Sequence, residues 1–284
     1  EGMIDNVMRN VTGLYSLKIV PTNNLWASAD YMGVEVTAPV EVESKIQGFD
    51  AGSDVQGDLY NKLGVFVSYR KGTHEINGEG ETYYSTSASE IEIESYLAGL
   101  YYYHNRNNLY TFASVYGGVQ KSEISTDDAM SFDTDGIELG AQLELGYSMK
   151  LGRNFVLTPS IGASYTRIMY DDAEDIAGKE YEFGDIAQAK AQASLKFSHI
   201  YKSAIGFGEF YVKPSIIQTF NLGDNTKITG LDEIETAEDT TLGRIEMGAQ
   251  HNLTGNFSVN AWGAYTYGSD YNAAAAGLGL KYNW

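Results

Sequence analysis

The chain has 284 residues with 19 basic and 38 acidic side chains, and its formal net charge of −19 argues against nucleic acid as a partner, because such binding needs cations that displace phosphate counterions. Cysteine is absent, which excludes disulfides, thiolate metal sites and cysteine nucleophiles. With 31 glycines, 22 tyrosines and four prolines, and without an apolar run near the roughly 18 residues that a membrane helix needs, the composition favours many strands with aromatic girdles.

The first predicted element is a helix over residues 3–18. Its apolar side chains recur at spacings of three and four, as the positions of Met3, Val7 and Val11 show. Gly13 lowers the helical propensity and Pro21 stops any continuation, so the predicted end lies between these two residues.

After Asn24 the hydrophobic period changes from helical to a period of two. Between residues 137 and 151 the odd positions are apolar, whereas the even positions are polar or glycine and include Glu138, Gln142 and Glu144. Residues 187–198 alternate in the same way, with Lys190 and Lys196 on the polar face. Such alternation also occurs in soluble sandwiches, but these runs have the length of about nine to eleven residues that tilted membrane strands need.

About twelve such segments follow one another, an even number as in bacterial single-chain barrels. They are predicted at residues 25–37, 49–60, 63–73, 91–103, 109–121, 137–151, 155–170, 186–199, 205–220, 242–253, 257–267 and 273–284. The sequence therefore predicts an all-β fold, a single transmembrane antiparallel β-barrel over residues 21–284 that is preceded by an N-terminal α-helix within residues 1–20.

The connections alternate between short and long, which is typical of outer-membrane barrels. Short links are predicted at residues 61–62, 105–108, 152–154, 201–203 and 254–256, and long ones at 38–48, 74–90, 122–135, 171–185 and 221–241. With the C-terminus in the periplasm, these short links lie on that side, and the link at 268–272 is the one brief connection predicted on the side of the long loops. The acidic runs at 171–175 and 232–235 are interpreted as solvated loops, since they lack the spacing of a calcium-binding EF-hand.

The order helix, about twelve strands and an aromatic C-terminus resembles the autotransporter β-domain of type V secretion over essentially the whole chain. The final residues, 277–284, resemble the C-terminal signal read by the barrel-assembly machinery, which implies an assembly role for Leu280, Tyr282 and Trp284. The resemblance implies a bacterial outer-membrane location, contact with outer-membrane lipid, a monomeric barrel and an N-terminal passenger upstream that is exposed at the cell surface. The start at Glu1, without a signal peptide, is expected for a fragment of a longer precursor.

The resemblance also implies that the helix plugs the pore, with Met3, Val7, Arg9, Asn10 and Leu14 as its lumen residues. A barrel of about twelve strands is wide enough to hold one helix. The predicted lumen-facing residues are Glu138, Gln142, Glu144, Lys190, Lys196, Arg244 and Glu246. Because unpaired charges in a confined pore are costly, Arg9 and Lys18 are expected to pair with Glu138, Glu144 or Glu246. The apolar stripe of the helix fits a polar lumen poorly, so a helix lying outside the pore stays an alternative.

The predicted function is to anchor and secrete a passenger, without a cofactor, a metal site or catalytic residues. Two alternatives stay open: a small-solute porin and a barrel enzyme such as a phospholipase. A phospholipase needs a Ser and a His presented together, and none of His74, His104, His199 and His251 has a recognisable motif beside it. Some autotransporters cleave themselves at an asparagine inside the barrel, but Asn6 and Asn10 are interpreted as plain polar helix residues.

Overall fold

The computed structural model describes residues 2–12, 23–37, 41–58, 60–77, 89–126, 131–174, 180–182, 184–204, 206–223, 227–228 and 239–284. Helix α1 spans Gly2–Thr12. Sixteen strands follow in chain order: β1 Asn24–Val36, β2 Glu41–Gly57, β3 Asn61–Asn77, β4 Ser89–Arg106, β5 Leu109–Thr126, β6 Ser131–Tyr147, β7 Met149–Lys150, β8 Phe155–Tyr170, β9 Ala173–Glu174, β10 Glu180–Glu182, β11 Ile186–Lys202, β12 Phe207–Asn221, β13 Lys227–Ile228, β14 Thr240–Asn252, β15 Phe257–Tyr267 and β16 Tyr271–Asn283.

The twelve long strands form one closed antiparallel barrel. Strand β1 pairs with β2 on one side and with the last strand, β16, on the other. Strand β8 likewise joins β6 to β11. Each long strand thus has a hydrogen-bonded neighbour on both sides, so the strands satisfy one another's backbone groups, as a bilayer requires. The predicted twelve-stranded antiparallel barrel is confirmed.

Side chains alternate between an apolar outer surface and a lumen. The outward positions are large and apolar and remain exposed in the isolated chain: Ile161 is 63% exposed, Ile216 65% and Leu278 66%. The inward positions are mostly small or polar and are buried, among them Ser28, Asp50 and Ser68. This arrangement is that of a membrane barrel, with lipid as the solvent of the outer surface.

Two predicted boundaries of strands β2 and β3 are wrong. Residues 41–48 belong to β2 and not to a long loop, because this stretch continues the ladder with β3, where Val42 pairs with Ile76. At the other end, Asn61 and Lys62 open β3 and are not the turn. The turn centres on Asp58, whose carboxylate accepts the backbone N–H groups of Tyr60 and Asn61 at 2.7 Å each. These hydrogen bonds lower the pKa of Asp58, and the bond from the Tyr60 N–H makes the largest contribution.

The turn between β4 and β5 is tighter than the predicted link. Only Asn107 and Asn108 lie between the strands, and their φ angles of 54° and 69° are those of a type I′ turn. The predicted strand at 137–151 is in fact interrupted, because β6 ends at Tyr147 and Ser148 donates its backbone N–H to Asn108. The short strand β7 then continues along β8.

The other predicted loops also carry strand. Strand β3 runs on to Asn77, β5 to Thr126, and β6 starts at Ser131. Within the predicted loops at 171–185 and 221–241, β9, β10 and β13 form a separate three-stranded sheet. The predicted helix residues beyond Thr12, including Leu14 and Lys18, lie outside the described residues, as do residues 175–179 and 229–238. Among the described residues, no helix has the length and apolarity needed to cross a bilayer.

Candidate functional site: the helix in the barrel lumen

Helix α1 lies inside the barrel, where inward side chains of five strands bind it. Its polar contacts begin at Asn6, which donates to Asp30 of β1 and Asp50 of β2. Further along, Arg9 donates to Glu246 of β14. The last contacts are made by Asn10, which accepts from Asn260 of β15 and, through its carbonyl, from Lys281 of β16.

The other face of α1 is apolar and packs against apolar side chains of the lumen. Val7 and Val11 are fully buried, and Met3 and Met8 are 6% exposed. They form one cluster with inward residues of β1, β3, β4 and β5, which we call the apolar lumen cluster: Trp26, Phe66, Leu97, Tyr101, Tyr103, Phe112 and Tyr116. The lumen is therefore polar on one side and aromatic on the other, which explains an apolar stripe on a helix inside a pore.

Asn6 bridges two aspartates on the neighbouring strands β1 and β2. Its amide nitrogen donates to Asp30 Oδ1 at 2.6 Å and to Asp50 Oδ2 at 2.9 Å. Arg70 of β3 donates to the same two carboxylates, with its Nη2 2.7 Å from Asp50 Oδ2. Since Asp50 is fully buried, these donors offset the cost of holding two carboxylates away from water.

Arg9 forms the strongest polar contact of the helix. Its guanidinium meets Glu246 in two hydrogen bonds, Nε to Oε1 at 3.1 Å and Nη2 to Oε2 at 2.7 Å. It also lies over the ring of Trp262, 3.7 Å from the centroid. Arg244 joins the same site, donating to Glu246 at 3.1 Å and to Asp5 at 2.9 Å. Removing one partner from such a buried pair costs about 3–5 kcal/mol.

Asn10 fixes the last turn of α1 against β15, β16 and β1. Its side-chain oxygen accepts from Asn260 at 3.0 Å, and its amide nitrogen donates to Ser28 at 3.2 Å. The ammonium of Lys281 donates to the Asn10 carbonyl at 2.9 Å, which satisfies an acceptor near the helix end. A Cβ on Gly279 would lie 2.9 Å from the Asn10 side-chain oxygen, so this close approach needs a glycine.

The direction of the helix follows from its contacts along β1. Asn10 meets Ser28, Asn6 meets Asp30, and Met3 lines a cavity together with Met32. The helix therefore runs opposite to β1. The short turns and the C-terminal residue lie at the end where β1 starts, which is the periplasmic end in such barrels. The first turn of α1 accordingly points to the extracellular mouth.

Two cavities lie beside the helix. The one toward the mouth holds about 330 Å³ and is lined by Glu138, Gln142 and Lys190 among others. The one toward the periplasm holds about 110 Å³ and is lined by Lys196 and Glu209. Both reach Glu144, which accepts from Tyr110 and lies 3.8 Å from the ammonium of Lys213. The helix thus fills only part of the lumen section.

All seven predicted lumen-facing residues lie at inward strand positions. Arg244 and Glu246 meet the helix, whereas Glu138, Gln142, Glu144, Lys190 and Lys196 line the two cavities. Of the predicted helix residues, Met3, Val7, Arg9 and Asn10 make the contacts described above, and Leu14 lies outside the described residues. Leu280, Tyr282 and Trp284 are about half exposed, at 51%, 47% and 51%, and Leu280 and Tyr282 take outward positions of β16.

Sequence reasoning missed the polar residues of β1 to β3 that hold Asn6. Asp30 and Asp50 alternate with outward Tyr31 and Phe49, and this alternation was the available signal. It also missed a second buried group near the periplasmic end, where Lys62 lies 2.7 Å from Asp54. Tyr101 and the backbone N–H of Asn24 donate to the same carboxylate, which ties the start of β1 to the wall.

The structure brings two histidines close to a serine, His251 at the periplasmic end and His74 at the extracellular end. His251 Nε2 lies 3.3 Å from Ser203 Oγ, and its Nδ1 lies 3.3 Å from the hydroxyl of Tyr201. The serine hydroxyl also lies within hydrogen-bond reach of the Gly206 carbonyl, at 3.1 Å. Because the second ring nitrogen faces a tyrosine and not a carboxylate, the pair lacks the acid that orients the base of a triad. His74 lies near the opposite, extracellular end, belongs to β3 and not to a loop, and has its Nδ1 2.7 Å from Ser44 Oγ.

The fold and the lumen together define a class: a closed membrane barrel of twelve long strands with a helix held in its pore. The structure is similar to the translocator domain of the autotransporter NalP from Neisseria meningitidis, with a TM-score of 0.74, 12% identity and coverage of 99% of this chain and 96% of that one. It is also similar to the beta domain of the Bordetella autotransporter BrkA, with a TM-score of 0.72, 13% identity and coverage of 93% and 100%.

The family model for the autotransporter beta-domain matches residues 26–283, and the chain belongs to this family. It is therefore an outer-membrane barrel of the translocator type. The uncharacterized protein YaiT of Salmonella typhimurium is 23% identical over 265 residues, which cover 86% of this chain and 25% of YaiT. The chain thus spans far less than the full length of the curated relative that it matches.

Proposed function

We propose that the barrel anchors an upstream passenger in the outer membrane and carries it to the cell surface, and that α1 is the segment that follows the passenger into the pore. The direction of α1 supports this proposal most strongly. Its first turn faces the mouth and its last turn faces the end where β1 starts. In a chain that runs from passenger to helix to β1, this direction leaves the passenger outside.

The proposed partners follow from the outer surface. Leu280, Tyr282 and Trp284 end an apolar row on the last strand, at a place where the barrel-assembly machinery can read it. Lipid covers the remaining outward apolar side chains. Because every long strand is already paired on both sides, we expect the barrel to work as a monomer. We also propose that the barrel has no chemistry of its own, which a phospholipase assay on the refolded protein tests.

Cells that express the full-length protein test the transport role. External protease should remove the passenger from intact cells while the barrel stays in the outer membrane. A passenger that becomes accessible only after the outer membrane is permeabilised would contradict the proposal. The porin alternative makes a different prediction, since a porin raises the uptake of small solutes whether or not a passenger is attached.

A further inference from the structure

The polarity of strands β1 to β5 reverses at their extracellular ends. A girdle of outward aromatic residues, Phe49, Tyr69 and Tyr96, marks the upper edge of the apolar outer surface. Beyond it, most outward positions are charged: Glu35, Glu43, Lys45, Lys71, Glu75, Glu90, Glu92 and Glu94. Most inward positions at the same level are aliphatic, although Ser44, Gly72, His74 and Ser122 lie among them. We call the aliphatic residues the mouth wall: Val34, Val36, Val42, Ile46, Ile76, Ile91, Ile93 and Ile124.

The strand register places the mouth-wall residues in adjacent rows, and the middle row is divided by Ser44 and His74, whose side chains lie 2.7 Å apart. Val42 pairs with Val36 on one side and with Ile76 on the other. Ile91 pairs with Ile124 across β4 and β5. All eight side chains are partly exposed and face the mouth. A group of exposed apolar side chains inside a water-filled opening marks a place where another apolar group binds.

Neither lipid nor a second copy of the chain suits this surface. The mouth wall faces the inside of a closed barrel, and the outer face at the same level carries charges, including the ion pairs Lys45–Glu75 at 3.3 Å and Lys71–Glu92 at 3.0 Å. Whatever covers the wall must therefore enter through the mouth or come from within the lumen.

Helix α1 leads directly to the lower edge of the mouth wall. Met3, the first apolar residue of the helix, lines the upper cavity together with Met32, Ile46 and Ile93. Since the helix points outward, any chain that precedes Gly2 leaves the lumen along this wall. The matching relative YaiT is much longer than this chain, which covers 25% of it.

We propose that the mouth wall is the docking surface for the passenger segment that immediately precedes α1, bound as an extended strand with apolar side chains toward the wall. This inference rests on the proposed transport function. Along β2 the wall extends four residues, from Ile46 to Val42, which is about 14 Å at a rise of about 3.4 Å per residue. It therefore accommodates about four extended residues, of which alternate ones are apolar.

Photocrosslinking of the full-length protein in the outer membrane tests the contact. A photoreactive benzoylphenylalanine is placed at Ile91 or Val42 of the mouth wall, and the matched controls carry it at the adjacent outward residues Glu90 or Glu43. We expect crosslinks to peptides upstream of Gly2 from the wall positions, at many times the yield from the controls. Equal yields from both faces, or wall crosslinks confined to the barrel itself, would overturn the inference.

A second measurement follows passenger display. The double variant Ile91→Ser, Ile93→Ser should delay the appearance of protease-accessible passenger several-fold, whereas Glu90→Ser, Glu92→Ser should leave it unchanged. If the Ile91→Ser, Ile93→Ser variant displays its passenger at the normal rate and the wall positions give no crosslinks, the docking inference is contradicted. The transport function is unaffected by that result. A wild-type passenger that never reaches the surface contradicts the transport function, and the docking inference fails with it.

Discussion

Three charged residues of β1 to β3 and two of β14 decide how the helix is held. Asp30, Asp50 and Arg70 surround Asn6, and Arg244 and Glu246 surround Arg9. Such buried groups stabilise a single arrangement more than they stabilise the fold, because each is costly when its partner leaves. The helix is thus positioned by specific pairs, while the apolar lumen cluster supplies the less specific part of the contact.

The Arg9 pair provides the test at this scale. In Glu246→Gln, a neutral amide replaces the carboxylate, so Arg9 loses its charged partner and the helix should leave its site more often. A loss of about 3 kcal/mol corresponds to a rise of roughly 100-fold in local opening. Hydrogen exchange of the α1 amides in detergent measures it.

Glu209→Gln is the matched control, because Glu209 is equally buried and pairs with Lys196 away from the helix. In the Glu209→Gln variant, we expect the α1 amides to exchange at the wild-type rate. Equal protection of α1 in Glu246→Gln and wild type would show that the pair does not hold the helix.

At the scale of elements, the last two strands form a shallow groove for the helix. From Ala273 to Gly279 the inward residues of β16 are small, and a Cβ at Gly277 would lie 2.6 Å from the Trp262 ring. The same strand carries the outward row that ends the chain. One strand therefore serves two purposes, since its lumen face receives α1 and its outer face carries the proposed assembly signal.

Adding one methyl group to this groove should loosen the helix. In Gly279→Ala the new Cβ lies 2.5 Å from the Asn260 amide and 2.9 Å from Asn10, and such overpacking costs about 1–3 kcal/mol. Trypsin should then cut after Arg9 faster than in the wild type. Gly263→Ala is the control, since its nearest atom is 3.7 Å away. Equal cleavage rates in the two variants would show that the close approach at Gly279 does not hold the helix in place.

The turn between β4 and β5 is the second element with a specific requirement. Asn107 has a φ of 54°, which a β-branched residue adopts poorly. Asn107→Val should lower the urea midpoint of the refolded barrel by an amount equivalent to about 1–2 kcal/mol. Asn154 lies in another periplasmic turn and is not among the residues with a positive φ. Asn154→Val should therefore leave the midpoint near the wild-type value. A similar midpoint for both variants would contradict the assigned turn.

At the scale of the whole molecule, the two-residue period predicted the barrel because lipid demands apolar side chains at every second position. It failed at residues 41–48, where the polarity is reversed and Val42 and Ile46 face inward. Periodicity also gives the face of a residue but not its neighbours across the barrel. For that reason three carboxylates, Glu138, Glu144 and Glu246, were equal candidates for Arg9, and only the closed structure distinguishes them.

Single-channel conductance in planar bilayers tests the central claim, that α1 occupies the pore. Two proteins are compared, the intact chain and a variant that lacks residues 1–20. With α1 in place, the two cavities beside it hold only about 330 and 110 Å³, so the intact barrel should conduct little. The deletion should open a wide channel with conductance several times higher. Equal conductance of the two proteins would place the helix outside the conducting path and contradict the account.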